Sequence, residues 1–114
     1  MTEIAYNAFS SCDSLISVSV PDTLESLGER AFYNSKSLES VNSLSECNKL
    51  TEIKKNTFDG CSSLYSVSLP KNLQSIGDYA FYDCDSLESI EFPSTLTSLG
   101  SHAFYSCEKF NKII

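Results

Sequence analysis

The chain has 114 residues, 41% of them apolar and 20% charged, which is the composition of one packed domain and not of a disordered segment. Fifteen acidic against eight basic side chains leave a net charge of −7, so a nucleic acid would meet net repulsion instead of releasing counterions. No apolar run approaches the roughly 18 residues of a membrane-spanning helix, and the opening MTEIAYNAFSSC has neither the basic nor the long apolar stretch of a leader.

Along the chain one unit returns five times. IAYNAFSSCDSL, LGERAFYNSKSL, IKKNTFDGCSSL, IGDYAFYDCDSL and LGSHAFYSCEKF align on Phe9, Phe32, Phe58, Phe81 and Phe104, at intervals of 23, 26, 23 and 23 residues. The sixth residue after each Phe is Leu15, Leu38, Leu64, Leu87 or Phe110, and the ninth is Val18, Val41, Val67, Ile90 or Ile113. Further along lie Leu24 and Leu27, Leu50 and Ile53, Leu73 and Ile76, Leu96 and Leu99, with Ile4 ahead of them all. A single globular core has no need of equal spacing, but stacked coils do, because each must present the same face to its neighbour. The period therefore predicts a solenoid with the five aromatics piled in one file.

Within each unit the elements follow in a fixed order. S-V-S-V-P, S-V-S-L-P and S-I-E-F-P alternate polar and apolar residues, which predicts a short half-buried strand. Pro21, Pro70 and Pro93 end these strands, since proline cannot donate to a ladder. Leu-x-x-(Leu/Ile) then suits a loose or 3₁₀-like coil, and Gly28, Gly77 and Gly100 suit a corner with positive φ. Lys54 stands in the glycine column of the third unit, where the corner is expected to turn differently. Five coils at about 4.8 Å make a rod only ~20–25 Å long. The second unit lacks its proline and carries three extra residues around 43–50, with Cys47 among them; a bulging loop or a binding knob would each account for them. Residues 1–114 read as one solenoid domain without polar caps at either end, so the array either continues beyond them or associates with a second copy through its open rungs.

Strand pleating defines the candidate site. With Val67 and Leu69 inward, Ser66 and Ser68 point out, and the same parity exposes Ser17, Ser19, Ser40, Asn42, Ser89 and Glu91. Ile16, Glu39, Tyr65 and Glu88 flank this serine-rich strip, and Tyr65 is the favoured anchor because aromatics dominate interface energetics. The candidate protein-binding residues are thus Glu39, Asn42, Tyr65, Ser66, Ser68, Glu88, Ser89 and Glu91. The alternative is that serine merely keeps a tight parallel stack soluble.

Little points to chemistry. Cys12, Cys61, Cys84 and Cys107 form a column three residues after the Phe, with Ser35 in the second unit, and no C-x-x-C pair exists for zinc. Parallel Cβ directions make disulfides between neighbouring rungs poor in geometry, so buried reduced thiols are expected, the column requiring small size more than sulfur. Cys47, outside the column, is the candidate reactive thiol. His102, the one histidine, occupies a variable exposed position, and no oxyanion donor or orienting acid accompanies Cys107 and His102. Asp59, Asp78, Asp83 and Asp85 lack the dense alternation of a calcium loop. No catalytic residue, cofactor or metal site is predicted.

The units LYSVSLPKNLQSIGDYAFYDCDSL and LESIEFPSTLTSLGSHAFYSCEKF resemble the BspA-type (Treponema-type) leucine-rich repeat, in which leucine spacing, proline, glycine and Ala-Phe-x-x-Cys recur together. The likeness covers essentially the whole chain; Ser35, Thr57, Lys54 and the inserted second unit depart from the pattern. It implies an α/β repeat fold, a right-handed leucine-rich-repeat solenoid of short parallel β-strands and 3₁₀ or irregular coils, in about five 23-residue units. It further implies a surface or secreted protein of the kind that adheres to host or cell-surface proteins, with no catalytic site to transfer. The expected function is a non-enzymatic protein-binding or adhesion module acting through the exposed sheet face. The alternative is a scaffold or spacer segment of a longer array.

Overall fold

A computed structural model describes residues 2–107 together with the backbone pairing of 112–113. In chain order the strands are β1 (Glu3–Ile4), β2 (Ser17–Ser19), β3 (Ser26–Leu27), β4 (Ser40–Asn42), β5 (Glu52–Ile53), β6 (Ser66–Val67), β7 (Ser75–Ile76), β8 (Ser89–Ile90), β9 (Ser98–Leu99) and β10 (Lys112–Ile113). Every pairing is parallel, and even-numbered strands pair only with even, odd only with odd. Each coil therefore runs through a back strand, an arch carrying the Phe, a front strand and a second arch, which carries Pro21, Pro70 or Pro93 where the unit has a proline. The front ladder aligns Ser17, Ser40 and Ser66 in register. The principal extents are 30 × 29 × 20 Å, those of a short stack.

The aromatic file is present as predicted. Phe9, Phe32, Phe58, Phe81 and Phe104 stack at centroid separations of 5.4, 5.4, 5.2 and 5.1 Å, with ring planes within 14° of parallel. Around them Leu38, Leu64 and Leu87, Val41, Val67 and Ile90, Leu24, Leu50 and Leu73, and Leu27, Ile53 and Ile76 are buried. Coils at the two ends of the described stack have one neighbour each, so Phe9, Leu15, Val18, Leu96 and Phe104 are only partly buried and Leu99 is exposed. Phe110 lies outside the described residues, and of Ile113 only the strand pairing is described.

Two local expectations are corrected. The stretch read as loose or 3₁₀-like coil contains the back strands, too short, at two residues each, to show alternation in the sequence. The positive-φ corners are not Gly28, Gly77 and Gly100; they are Asn7, Arg30, Asn56, Tyr79 and His102, two residues before each Phe, and Ser11, Asn34, Gly60, Asp83 and Ser106, two residues after it. In the first four coils their amides donate to the following coil, as from Asn34 to the Asp59 carbonyl at 2.7 Å and from Asp83 to the Tyr105 carbonyl at 3.0 Å. The column glycines instead answer a close approach: a Cβ on Gly28 would lie 2.5 Å from the Tyr6 amide nitrogen, and one on Gly77 2.7 Å from that of Lys55. Gly28, Gly77 and Gly100 each donate to a carbonyl of the preceding coil at 2.7 Å. Lys54, which has a Cβ, holds no such place, and the back ladder is interrupted between β3 and β5.

The inserted segment is ordered against the core. It closes as a 3₁₀ turn over Leu44–Glu46 with Leu44 buried in the core. Cys47 then takes the proline place, its carbonyl accepting from Leu50 N–H as Pro21, Pro70 and Pro93 accept from Leu24, Leu73 and Leu96.

Candidate functional site

The front sheet sends alternate side chains inward to the Phe file, so its outer residues form one continuous face. Glu39, Asn42, Tyr65, Ser66, Ser68, Glu88 and Glu91 are exposed there, and Ser89 is half-buried. Backbone bonds from Glu39 N–H to the Ile16 carbonyl at 2.7 Å and from Tyr65 N–H to the Glu39 carbonyl at 3.1 Å hold Ile16, Glu39 and Tyr65 one above another. Tyr65 is 54% exposed, an aromatic side chain available to a partner without rearrangement of the stack. Beside Ser68 and Glu91 lies a groove of about 540 Å³ that Ser45, Lys71 and Phe92 also line, where the insertion meets the edge of the sheet. The eight residues all belong to the front strands or their flanks, and one tyrosine and three glutamates are the large side chains among them.

The cysteine column is a hydrogen-bonding device. The thiols of Cys61, Cys84 and Cys107 donate to the carbonyls of Phe32, Phe58 and Phe81 in the coil before, at 3.1, 3.2 and 3.1 Å. Ser35 makes the same bond better, its hydroxyl donating to the Phe9 carbonyl at 2.6 Å while accepting from the Cys12 amide at 3.4 Å. Small size alone therefore does not define the column; it requires a small side chain with a proton to give. Burial pushes the Cys61 thiol up to about 12 and the Cys107 thiol to about 11, and raises Cys84 as well. All five cysteines are free. We expect Ser35→Ala to cost about 2 kcal/mol by stranding two backbone groups, and Ser35→Cys less than about half of that; paired urea titrations measure both.

Cys47 is not the accessible thiol that its place outside the column suggested. It is fully buried, and its thiol faces the Pro21 carbonyl at 3.3 Å and the Ser43 carbonyl at 3.6 Å. Burial first, then the charges of Asp22 and Glu46, hold it in the unreactive protonated form.

Nor are His102 and Cys107 brought together. The His102 Nδ1 lies 2.7 Å from the Ser101 hydroxyl, whereas the Cys107 thiol is engaged with the Phe81 carbonyl. Among the described residues no group of three or more His, Cys, Asp or Glu side chains is placed to hold a metal ion, and no helix is long and apolar enough to cross a membrane.

On the outside of the Phe-bearing arch the structure assembles a group that the sequence reading passed over. Tyr79 and His102 lie parallel at 5.3 Å, and Tyr82 and Tyr105 parallel at 5.7 Å. The two pairs meet nearly edge-on, Tyr79 to Tyr82 at 5.3 Å and His102 to Tyr105 at 5.2 Å. Two coils away, in the same two rows, the Arg30 guanidinium sits 4.8 Å from the centroid of the Tyr33 ring. The available signal was the tyrosine directly after the aligned Phe, at Tyr33, Tyr82 and Tyr105.

The family model for the BspA type leucine-rich repeat region (six copies) matches residues 1–111. No curated protein matches the chain. Among solved structures, a leucine-rich repeat protein from Bacteroides ovatus superposes with a TM-score of 0.92 at 35% identity, over 99% of this chain and 28% of that one. A leucine-rich cell surface protein from Faecalibacterium prausnitzii gives 0.92 at 36%, over 99% and 29%. The leucine-rich repeat protein of T. pallidum gives 0.93 at 32%, over 99% and 51%. The chain thus spans between about a quarter and a half of the length of these structures.

Proposed function

Because the chain belongs to the family of BspA type leucine-rich repeat regions, we propose that it is a non-enzymatic adhesion module of a surface or secreted protein, which captures a partner protein on its front sheet. The observation that carries this reading is the exposed face itself: Tyr65, Glu39, Glu88 and Glu91 are exposed along an in-register strip of small polar residues. Such a face offers one aromatic anchor, a polar surround and a backbone that need not move on binding, the arrangement that concentrates binding energy in few residues. A protein partner is supported by the family, whose repeats generally serve as interaction modules; a cell-surface setting is supported by the Faecalibacterium neighbour, which is itself described as a cell surface protein.

Replacing Tyr65 by Ala together with Glu88 and Glu91 by Gln tests the reading without touching the core, since all three side chains are exposed. Beads coated with the triple variant should lose at least roughly tenfold in adhesion to cells that retain wild-type beads, while its circular dichroism and unfolding midpoint stay unchanged. Equal adhesion by a folded triple variant would favour the alternative, a spacer segment whose coils extend a longer array.

A further inference from the structure

We propose that the outer arch carries a second docking surface, formed by Tyr79, Tyr82, His102 and Tyr105 beside Asp83, and that its occupant is an arginine side chain presented by a partner protein. Single exposed aromatics are ordinary, but four rings in mutual contact on the outside of two adjacent coils are not required by the fold. The equivalent rows in the first coil hold Asn7 and Ser10, and in the third Asn56 and Asp59, so the arch closes equally well without rings.

Two observations select a guanidinium. Charge is the first: the ionised groups close enough to disfavour a Tyr82 phenolate are the carboxylates of Asp83 and Asp59, and the chain as a whole carries −7. Ring faces add their own negative potential to that of the carboxylates, which suits a cation and particularly a planar one. The second is a precedent inside the molecule. Arg30, two residues before its Phe, lies over Tyr33, one residue after it, and is near enough to Asp59 to favour that carboxylate. In the fourth and fifth coils the Arg30 place is held by Tyr79 and His102. Tyr82 and Tyr105 stand there in the Tyr33 row, Asp83 adds a carboxylate one residue further on, and neither row holds an Arg or Lys, so the cation is supplied from outside. This surface is separate from the front sheet, and its test does not depend on that reading.

The probe is an acetylated, amidated Gly-Arg-Gly peptide titrated into the whole chain, with the ring resonances of Tyr82, Tyr105 and His102 followed by NMR. The expected result is a saturable shift of those rings with arginine and none with the citrulline peptide, which keeps the shape and loses the charge. Tyr82→Leu with Tyr105→Leu should weaken binding roughly fivefold or more. Asp83→Asn should weaken it in the same direction, asparagine being at home at the left-handed φ of 60° found there. The Tyr65, Glu88 and Glu91 variant should bind the peptide as the wild type does. The proposal is overturned if citrulline or a neutral oligosaccharide shifts the same rings as strongly, if neither the tyrosine nor the Asp83 variant weakens binding, or if the rings shift with protein concentration alone, which would make a second copy the occupant.

Discussion

Phe81→Ala is expected to remove about 3–5 kcal/mol of stability, as large a loss as a single truncation in this core should give. Phe81 is fully buried between Phe58 at 5.2 Å and Phe104 at 5.1 Å, so its removal opens a gap in the middle of the aromatic file. Collapse into that gap is opposed by the backbone. The Phe81 amide is bonded to the Ala103 carbonyl at 2.8 Å, and its carbonyl receives the Cys107 thiol at 3.1 Å, which fixes the separation of the coils. A cavity that cannot close carries both the transfer and the void contributions. The half-buried Phe104 should cost less on the same substitution. Urea unfolding of both variants measures the difference, and a loss under about 1 kcal/mol at Phe81 would remove it from the core.

Gly77→Ala should cost about 2–3 kcal/mol for the opposite reason, too much matter where two backbones meet. The added methyl would stand 2.7 Å from the Lys55 amide nitrogen and 3.0 Å from the Lys54 carbonyl carbon. Neither atom can swing away as a side-chain end would, because β7 is held to β5 and β9 on both sides. Conformational preference is no part of the effect, since Gly77 is not among the residues with positive φ. Lys54→Ala, in the same column where a Cβ is already accommodated, should change stability by less than about 1 kcal/mol. Thermal melts of the pair test whether close approach, and not flexibility, is what the column selects.

The architecture was legible because the same residue types return at one spacing. A period of 23, lengthened once to 26, places Phe9, Phe32, Phe58, Phe81 and Phe104 in one file whatever the local backbone does, and strand parity then exposes Ser66, Ser68 and Glu91. What escaped has physical causes of its own. Two-residue back strands carry no periodicity to detect. A glycine chosen for proximity looks the same in sequence as one chosen for positive φ, and only the neighbouring coil distinguishes Gly77 from Gly60. Cys47 seemed to stand outside the repeat because three extra residues precede it; the hydrogen-bond pattern puts it in the proline slot. The candidate face was readable from pleating, whereas Tyr79, Tyr82, His102 and Tyr105 meet only because the left-handed arch sets the two rows of one coil edge-on and stacks each row on the same row of the next coil.

That arch also limits what evolution can write on it. Among the described residues nine non-glycine positions on it sit at φ between 56° and 62°, and none of them is valine, isoleucine or threonine. Branching at Cβ is poorly tolerated in this region, whereas unbranched and aromatic stems are admitted at modest cost. The outer surface can therefore exchange asparagine for arginine, tyrosine or histidine between coils and acquire new recognition chemistry, but its alphabet excludes the stiff aliphatic residues that would make it sticky and prone to aggregate.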